Sequence, residues 1–210
     1  MAESDTGGCC RCCCSFIFTS GLTALFMWLS LRTSNPTCSI EKFYVPALNR
    51  TTNSTYNHSI SFQLQLANRM KYKGVRYNNI SLTFLYGVKD SSSSIANYTV
   101  EAFYQGHKKK ATRVALVQAT GVPWEAAIEA VSNGSTVNFG VRLVTRVKFK
   151  IMFWYTKRHQ LEVAGDLAVG SGGNKVNENG IKLKSGAPDR GWCWARFSPA
   201  VISIVLTILI

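Results

Sequence analysis

The sequence predicts a mainly β protein. The expected form is an antiparallel β-sandwich of about seven strands with one short helix, preceded by an N-terminal transmembrane helix and followed by a hydrophobic C-terminal tail. Three observations carry this. Apolar and polar residues alternate at period two through the middle of the chain, as in strands with one buried and one solvated face. A long stretch near the start has no charge, and the last 14 residues carry nothing more polar than hydroxyls. With 46% apolar and 17% charged residues the 210-residue chain is not a disordered one, and its middle can bury a core of its own.

The first element is the uncharged run between Arg11 and Arg32. A helix of about 20 residues matches a hydrocarbon layer about 30 Å thick, so 12–31 is expected to be a transmembrane signal anchor. Trp28 near its end suits the interface. The alternatives are a cleaved signal and a buried core helix. The exit Leu31-Arg32-Thr33-Ser34-Asn35-Pro36 does not place small residues at both −3 and −1 of a cleavage site, and the run lacks a polar stripe beyond its hydroxyls. Flanking charges alone, Arg11 against Arg32 and Lys42, weakly favour the opposite orientation. The sequons decide it. Asn49, Asn53, Asn57, Asn79, Asn97 and Asn133 all stand in Asn-x-Ser/Thr triplets, six of 13 asparagines, where chance gives roughly two. That motif is read only in the secretory lumen, so the C-terminal side faces outward and residues 1–14 are a cytosolic, cysteine-rich N-terminus.

In that terminus Cys9, Cys10, Cys12, Cys13 and Cys14 precede the apolar run. Cytosolic thiols stay reduced, and a juxtamembrane cysteine run is a natural S-acylation patch. An unmodified run and a metal site are the alternatives. Adjacent cysteines place four sulfurs tetrahedrally only with difficulty, and no histidine lies near.

Period-two alternation then marks strands at Ser59–Leu66, Ile80–Tyr86 and Val137–Tyr155. The last is too long for one strand, so a bend or turn must break it. Shorter strand candidates are Ser39–Val45, Tyr98–Phe103, Leu161–Val169 and Ile181–Lys184. Helical spacing of Trp124, Ala127, Ile128 and Val131 after Pro123 predicts a short helix, with Asn133-Gly134 at its end. Ser91–Ser94 and Gly170–Asn174 read as loops. Residues 36–185 are therefore one extracellular β domain.

The tail from Phe197 to Ile210 is short for a spanning helix and has no charge beyond it. Ser185-Gly186-Ala187, a mostly polar spacer and an apolar end form the signal for a glycosylphosphatidylinositol (GPI) anchor, with Ser185 as attachment residue and 186–210 as propeptide. A second membrane helix is the alternative. If the propeptide is removed, Cys193 goes with it and cannot pair with Cys38.

The net charge is +13, and its densest stretch is His107, Lys108, Lys109, Lys110 and Arg113, seconded by Lys157-Arg158-His159. In a lumenal domain such a patch points to anionic lipid headgroups or acidic wall polysaccharide and not to nucleic acid; a solvated loop is the plain reading. His58 lies inside a sequon and is expected to be exposed, while His107 and His159 neighbour cations, which discourages a metal. No nucleophile motif, phosphate-cradling loop or close carboxylate pair is present. No enzyme activity, cofactor or metal is expected.

The cysteine cluster, the apolar SFIFTSGLTALFMWLSLR and Pro36-Thr-Cys-Ser-Ile-Glu-Lys-Phe-Tyr-Val-Pro46 resemble the start of plant non-race-specific disease resistance and harpin-induced-like proteins. Lys73-Gly-Val-Arg-Tyr77, Phe103-Tyr-Gln-Gly-His-Lys-Lys-Lys110 and Val147-Lys-Phe-Lys-Ile-Met-Phe-Trp-Tyr-Thr-Lys-Arg158 continue the resemblance, which runs from about Cys9 to Lys184. It implies a late-embryogenesis-abundant group-two (WHy) domain, a sandwich with a helix. It also implies a plasma-membrane protein needed for immune signalling through intracellular resistance receptors, and not an enzyme. The cytosolic N-terminus is then expected to meet a cytosolic immune-regulatory protein. The family often has Asn-Pro-Asn after its second strand, whereas Asn68-Arg-Met-Lys stands here, which puts that turn in question. The competing function is a desiccation-type protectant whose sandwich holds apolar ligands or shields other proteins. Membrane signals favour the first reading, because a bulk protectant needs no anchor.

Overall fold

The structure, a computed structural model, describes residues 14–25, 34–50, 57–87, 92–151 and 153–185. Residues 14–25 form a helix, α1, exposed along its length. The rest of the expected 12–31 anchor lies outside the described residues. Among those described, no helix is long and apolar enough to cross a membrane.

The β domain holds twelve strands among the described residues and not about seven. They are β1 (Thr37–Asn49), β2 (Ser59–Ala67), β3 (Lys73–Tyr77), β4 (Ile80–Tyr86), β5 (Ser93–Val100), β6 (Phe103–Gln105) and β7 (Lys110–Gln118), then, after helix α2 (Trp124–Ser132), β8 (Val137–Ile151), β9 (Trp154–Tyr155), β10 (His159–Val169), β11 (Gly172–Asn174) and β12 (Ile181–Lys182). The first sheet runs β11-β1-β2-β7, with β12 also on β1. The second runs β5-β4-β8-β3-β6, with β9 and β10 on β8, and every pairing given is antiparallel.

Some of the extra strands come from interruptions. β3 and β4 lie end to end along one edge of β8, broken at Asn78-Asn79. The break is held by the Asn78 N–H donating to the Arg146 carbonyl at 2.9 Å and by the Thr145 hydroxyl donating to the Asn78 and Asn79 carbonyls at 3.2 Å. β5 and β6 are broken at the same level, where the Ala102 N–H donates to the Asn79 side-chain oxygen at 3.1 Å.

The alternation explains the core. Ile60, Phe62, Leu64 and Leu66 of β2 are buried, as are Ile80, Leu82 and Phe84 of β4 and the odd-numbered residues of β8 from Val137 to Phe149. Between the sheets Phe62 meets Phe84 with ring centres 4.8 Å apart, and Phe43 meets Phe139 at 5.6 Å. Contacts of this kind add to the burial of the rings themselves. The expected alternation fails past Ile151. The chain turns there into β9, so Phe153 and Tyr155 do not continue the buried parity and are 87% and 41% exposed.

Two further expectations need correction. Gly170–Asn174, read as a loop, contributes β11 to the edge of β1. Lys110–Gln118, of which only the part up to Arg113 was read, as the end of a basic stretch, is a full strand beside β2. Helix α2 lies where predicted, with Pro123 as N-cap one place before the first turn, and Gly134 takes the positive φ of 77° that follows its end. It links the two sheets and buries Ala127 and Val131 at the far end of β1. His58 is half-buried there, stacked on Trp124 at 4.8 Å, and not fully exposed as expected.

Candidate functional site

The end of the domain opposite α2 is built by strand ends. Thr37 pairs with Ala67, and Ala67 with Lys110; on the other sheet Lys73 pairs with Ile151 and Val75 with Gln105. Two connections cross between the sheets here, Asn68–Tyr72 and Gly106–Lys109. The chain also enters the domain here at Pro36 and leaves it at Ser185, three residues past the Ser39–Lys182 pair.

A buried polar staple fixes both connections. The Asn68 amide, 2% exposed, donates to the Lys73 carbonyl at 2.8 Å and the Gly106 carbonyl at 3.0 Å, and its oxygen accepts from the Met70 N–H at 3.1 Å. The Gln105 amide donates to the carbonyls of Leu66 and Lys109, both at 2.9 Å, and its oxygen accepts from the Tyr77 hydroxyl at 2.9 Å. No buried side-chain polar atom among the described residues lacks a partner, as close-packed interiors require. The Lys108 N–H donates to the Met70 carbonyl at 3.1 Å, and Lys108 itself takes φ 51°, a left-handed conformation that costs a side-chain-bearing residue roughly 1–2 kcal/mol.

The backbone is thus pinned while the side chains reach out. His107, Lys108, Lys109 and Lys110 are all exposed, beside exposed Arg69 and Lys71 of the other connection. No acidic residue occurs in 68–73, 104–113 or 151–159. Arg113 does not join this group. It stands three residues along β7, with its guanidinium carbon 4.9 Å from the Phe103 ring centre. Sequence reasoning missed an aromatic half. Tyr72 is 86%, Phe153 87% and Trp154 60% exposed at the turns flanking the Lys73–Ile151 pair. Their signal was the consecutive aromatic run Phe153-Trp154-Tyr155, which no single buried face can absorb.

Of the sequon asparagines, Asn57, Asn79, Asn97 and Asn133 are exposed and Asn49 is half-buried, its amide donating to the Tyr44 hydroxyl at 3.0 Å; Asn53 lies outside the described residues. The Asn57 oxygen accepts from both the N–H and the hydroxyl of its own Ser59, at 3.3 and 2.7 Å. Cys14 is exposed at the start of α1, while Cys9, Cys10, Cys12 and Cys13 lie outside the described residues. Ser185 is the last described residue and is exposed; the tail after it lies outside. Cys38 is free and buried in the core.

No family model matches the chain. Protein NDR1 of Arabidopsis thaliana is 45% identical over 190 aligned positions, spanning 87% of this chain and 85% of the relative. The chain belongs to the NDR1 family of non-race-specific disease resistance proteins. A span of that length exceeds residues 36–185, so the NDR1 likeness continues into at least one of the segments flanking the β domain. With it comes a role in plant disease resistance.

Proposed function

We propose that the protein is a plasma-membrane-anchored defence signalling component whose β domain is held outside the cell with its basic, aromatic end toward the bilayer. The supporting observation is positional: the end with the exposed cations and aromatics is also where the chain enters from the apolar 12–31 segment. Aromatic rings and lysines are what an interfacial surface uses, one for the headgroup boundary and the other for anionic charge. In this reading glycans on the sequons other than Asn79 face outward, acyl chains on Cys9, Cys10, Cys12, Cys13 and Cys14 hold the cytosolic flank, and a cytosolic immune-regulatory protein reads the N-terminus. The β domain is of the late-embryogenesis-abundant group-two type. Ser185 carries a GPI anchor after removal of 186–210, which tethers the domain at both ends and suits contact between membrane and acidic wall polysaccharide.

The protectant alternative wants an apolar pocket, and the cavities described in this domain are lined mostly by polar and charged side chains. The full-length chain, expressed in Arabidopsis thaliana lacking NDR1, is expected to restore restriction of a pathogen. Replacing Lys108, Lys109 and Lys110 by Glu should leave the protein at the membrane and weaken that restriction. A wild-type chain that accumulates at the plasma membrane without restoring any restriction would refute the reading.

A further inference from the structure

We propose that the outer face of the second sheet holds a binding groove for a carboxylate-bearing oligosaccharide. The groove opens on the face of the sheet and adjoins the membrane-facing end through Tyr155 and Arg158, and its binding chemistry stands whichever side of the membrane the domain occupies.

A cavity of about 630 Å³ opens where β3 and β4 part at Asn78-Asn79, and Arg76, Arg146, Lys148 and Arg158 line it together with Tyr155 and Gln160. Arg76 sits directly opposite Lys148 across the β3–β8 ladder. Like charges placed opposite one another destabilise a sheet, so this pair costs stability that a bound anion would recover. Arg146 adds a third cation on the same face of β8, two residues from Lys148. No Asp or Glu lines the cavity to offset them, and Glu162 pairs elsewhere, with Arg142 at 3.8 Å.

The chemistry of the walls selects among anions. Guanidinium groups grip carboxylates in two-point fashion, and three of the four cations are arginines. Amides at Asn78, Asn79 and Gln160 suit sugar hydroxyls, and the half-exposed Tyr155 ring offers a face for a sugar ring. Four cations spread over β3, β8 and the connection between β9 and β10 fit an anion that repeats along a chain better than a single compact headgroup. The opening lies on the side of the sheet and not at the end where the chain leaves for the bilayer, so a polymer running alongside can reach it.

The test uses the full-length chain made in bacteria, which leaves Asn79 at the cavity rim without a glycan, held in nanodiscs of neutral phosphatidylcholine. It is titrated with a short galacturonic acid oligomer, with the methyl ester of that oligomer, and with inositol hexakisphosphate. The acid oligomer should bind, and the ester should not. Arg146→Gln with Arg158→Gln should weaken binding by about tenfold or more, since charged hydrogen bonds are worth about 1.5–3 kcal/mol each. Arg76→Gln is the second arm: it should weaken binding yet raise Tm, because it relieves the repulsion with Lys148. Binding of the ester as tight as that of the acid, tighter binding of inositol hexakisphosphate, or unchanged affinity in the variants would each overturn the proposal.

Discussion

Cys38 and Tyr77 share the core beneath the charged end, and both titrate there. Burial lifts the Cys38 thiol from 9.0 to about 12. Burial, and secondarily the charge on Cys38, lifts the Tyr77 hydroxyl above its ordinary 10.0. Both groups are neutral when protonated, so the stability they contribute is complete below their ordinary values and is lost as pH rises from about 9 toward 12. Lys73 and Lys175 are lowered by burial and act in the opposite sense, Lys175 less so because Glu41 holds its charge. Thermal unfolding followed by near-ultraviolet circular dichroism from pH 7 to 11 should show Tm falling above pH 9. Cys38→Ala should flatten that fall, whatever it does to Tm at pH 7, and an unchanged alkaline slope would mean that Cys38 is not the titrating group. At neutral pH the thiol packs as a small hydrophobe against Leu66's side of the sheet and stays unreactive.

Among the elements, the crossing connections carry the most consequence per residue. Asn68→Ala would remove the hydrogen bonds to the Lys73 and Gly106 carbonyls and from the Met70 N–H at once. The expected cost is about 3 kcal/mol, near the upper range for a single buried polar deletion, and a loss below about 1 kcal/mol in denaturant titration would contradict the staple. The sequence raised this turn as an open question because Asn68-Arg-Met-Lys departs from Asn-Pro-Asn. Asn68 itself closes the turn through its side chain, so the arginine and methionine that follow are tolerated. β2, β4 and β8 were legible because each has one buried face and alternates cleanly. β7 was not: it is an edge strand with Val114 and Leu116 exposed on its outer face and Ala111 and Ala115 half-buried on the other, which erases the period. Its flanking lysines are what edge strands use to discourage pairing with another chain. β3 was visible only as a family motif, since five residues are too few to establish alternation.

At the scale of the molecule, one half of the candidate site was legible and the other was not. Consecutive lysines announce themselves in any sequence. Tyr72, Phe153 and Trp154 come together only because Lys73 pairs with Ile151, a contact between segments that nothing local in the chain predicts. The sandwich-like packing of two sheets followed from alternation alone, but its strand number did not, because the breaks at Asn78-Asn79 and 101–102 depend on hydrogen bonds between distant strands. The arrangement as a whole predicts a domain with a polarity: α2 and Asn133 at one end, and the cations, the exposed aromatics and the entering chain at the other. Photo-crosslinking from a photoactivatable phospholipid tests that polarity most directly. The full-length chain is reconstituted in vesicles containing phosphatidylserine, and the crosslinked peptides of residues 36–185 are mapped by mass spectrometry. Lipid adducts should concentrate on the peptides holding Lys71-Tyr72, His107–Lys110 and Phe153-Trp154. Adducts concentrated on α2 and Asn133 instead, or absent from the β domain altogether, would contradict a domain that rests on the membrane by its basic end.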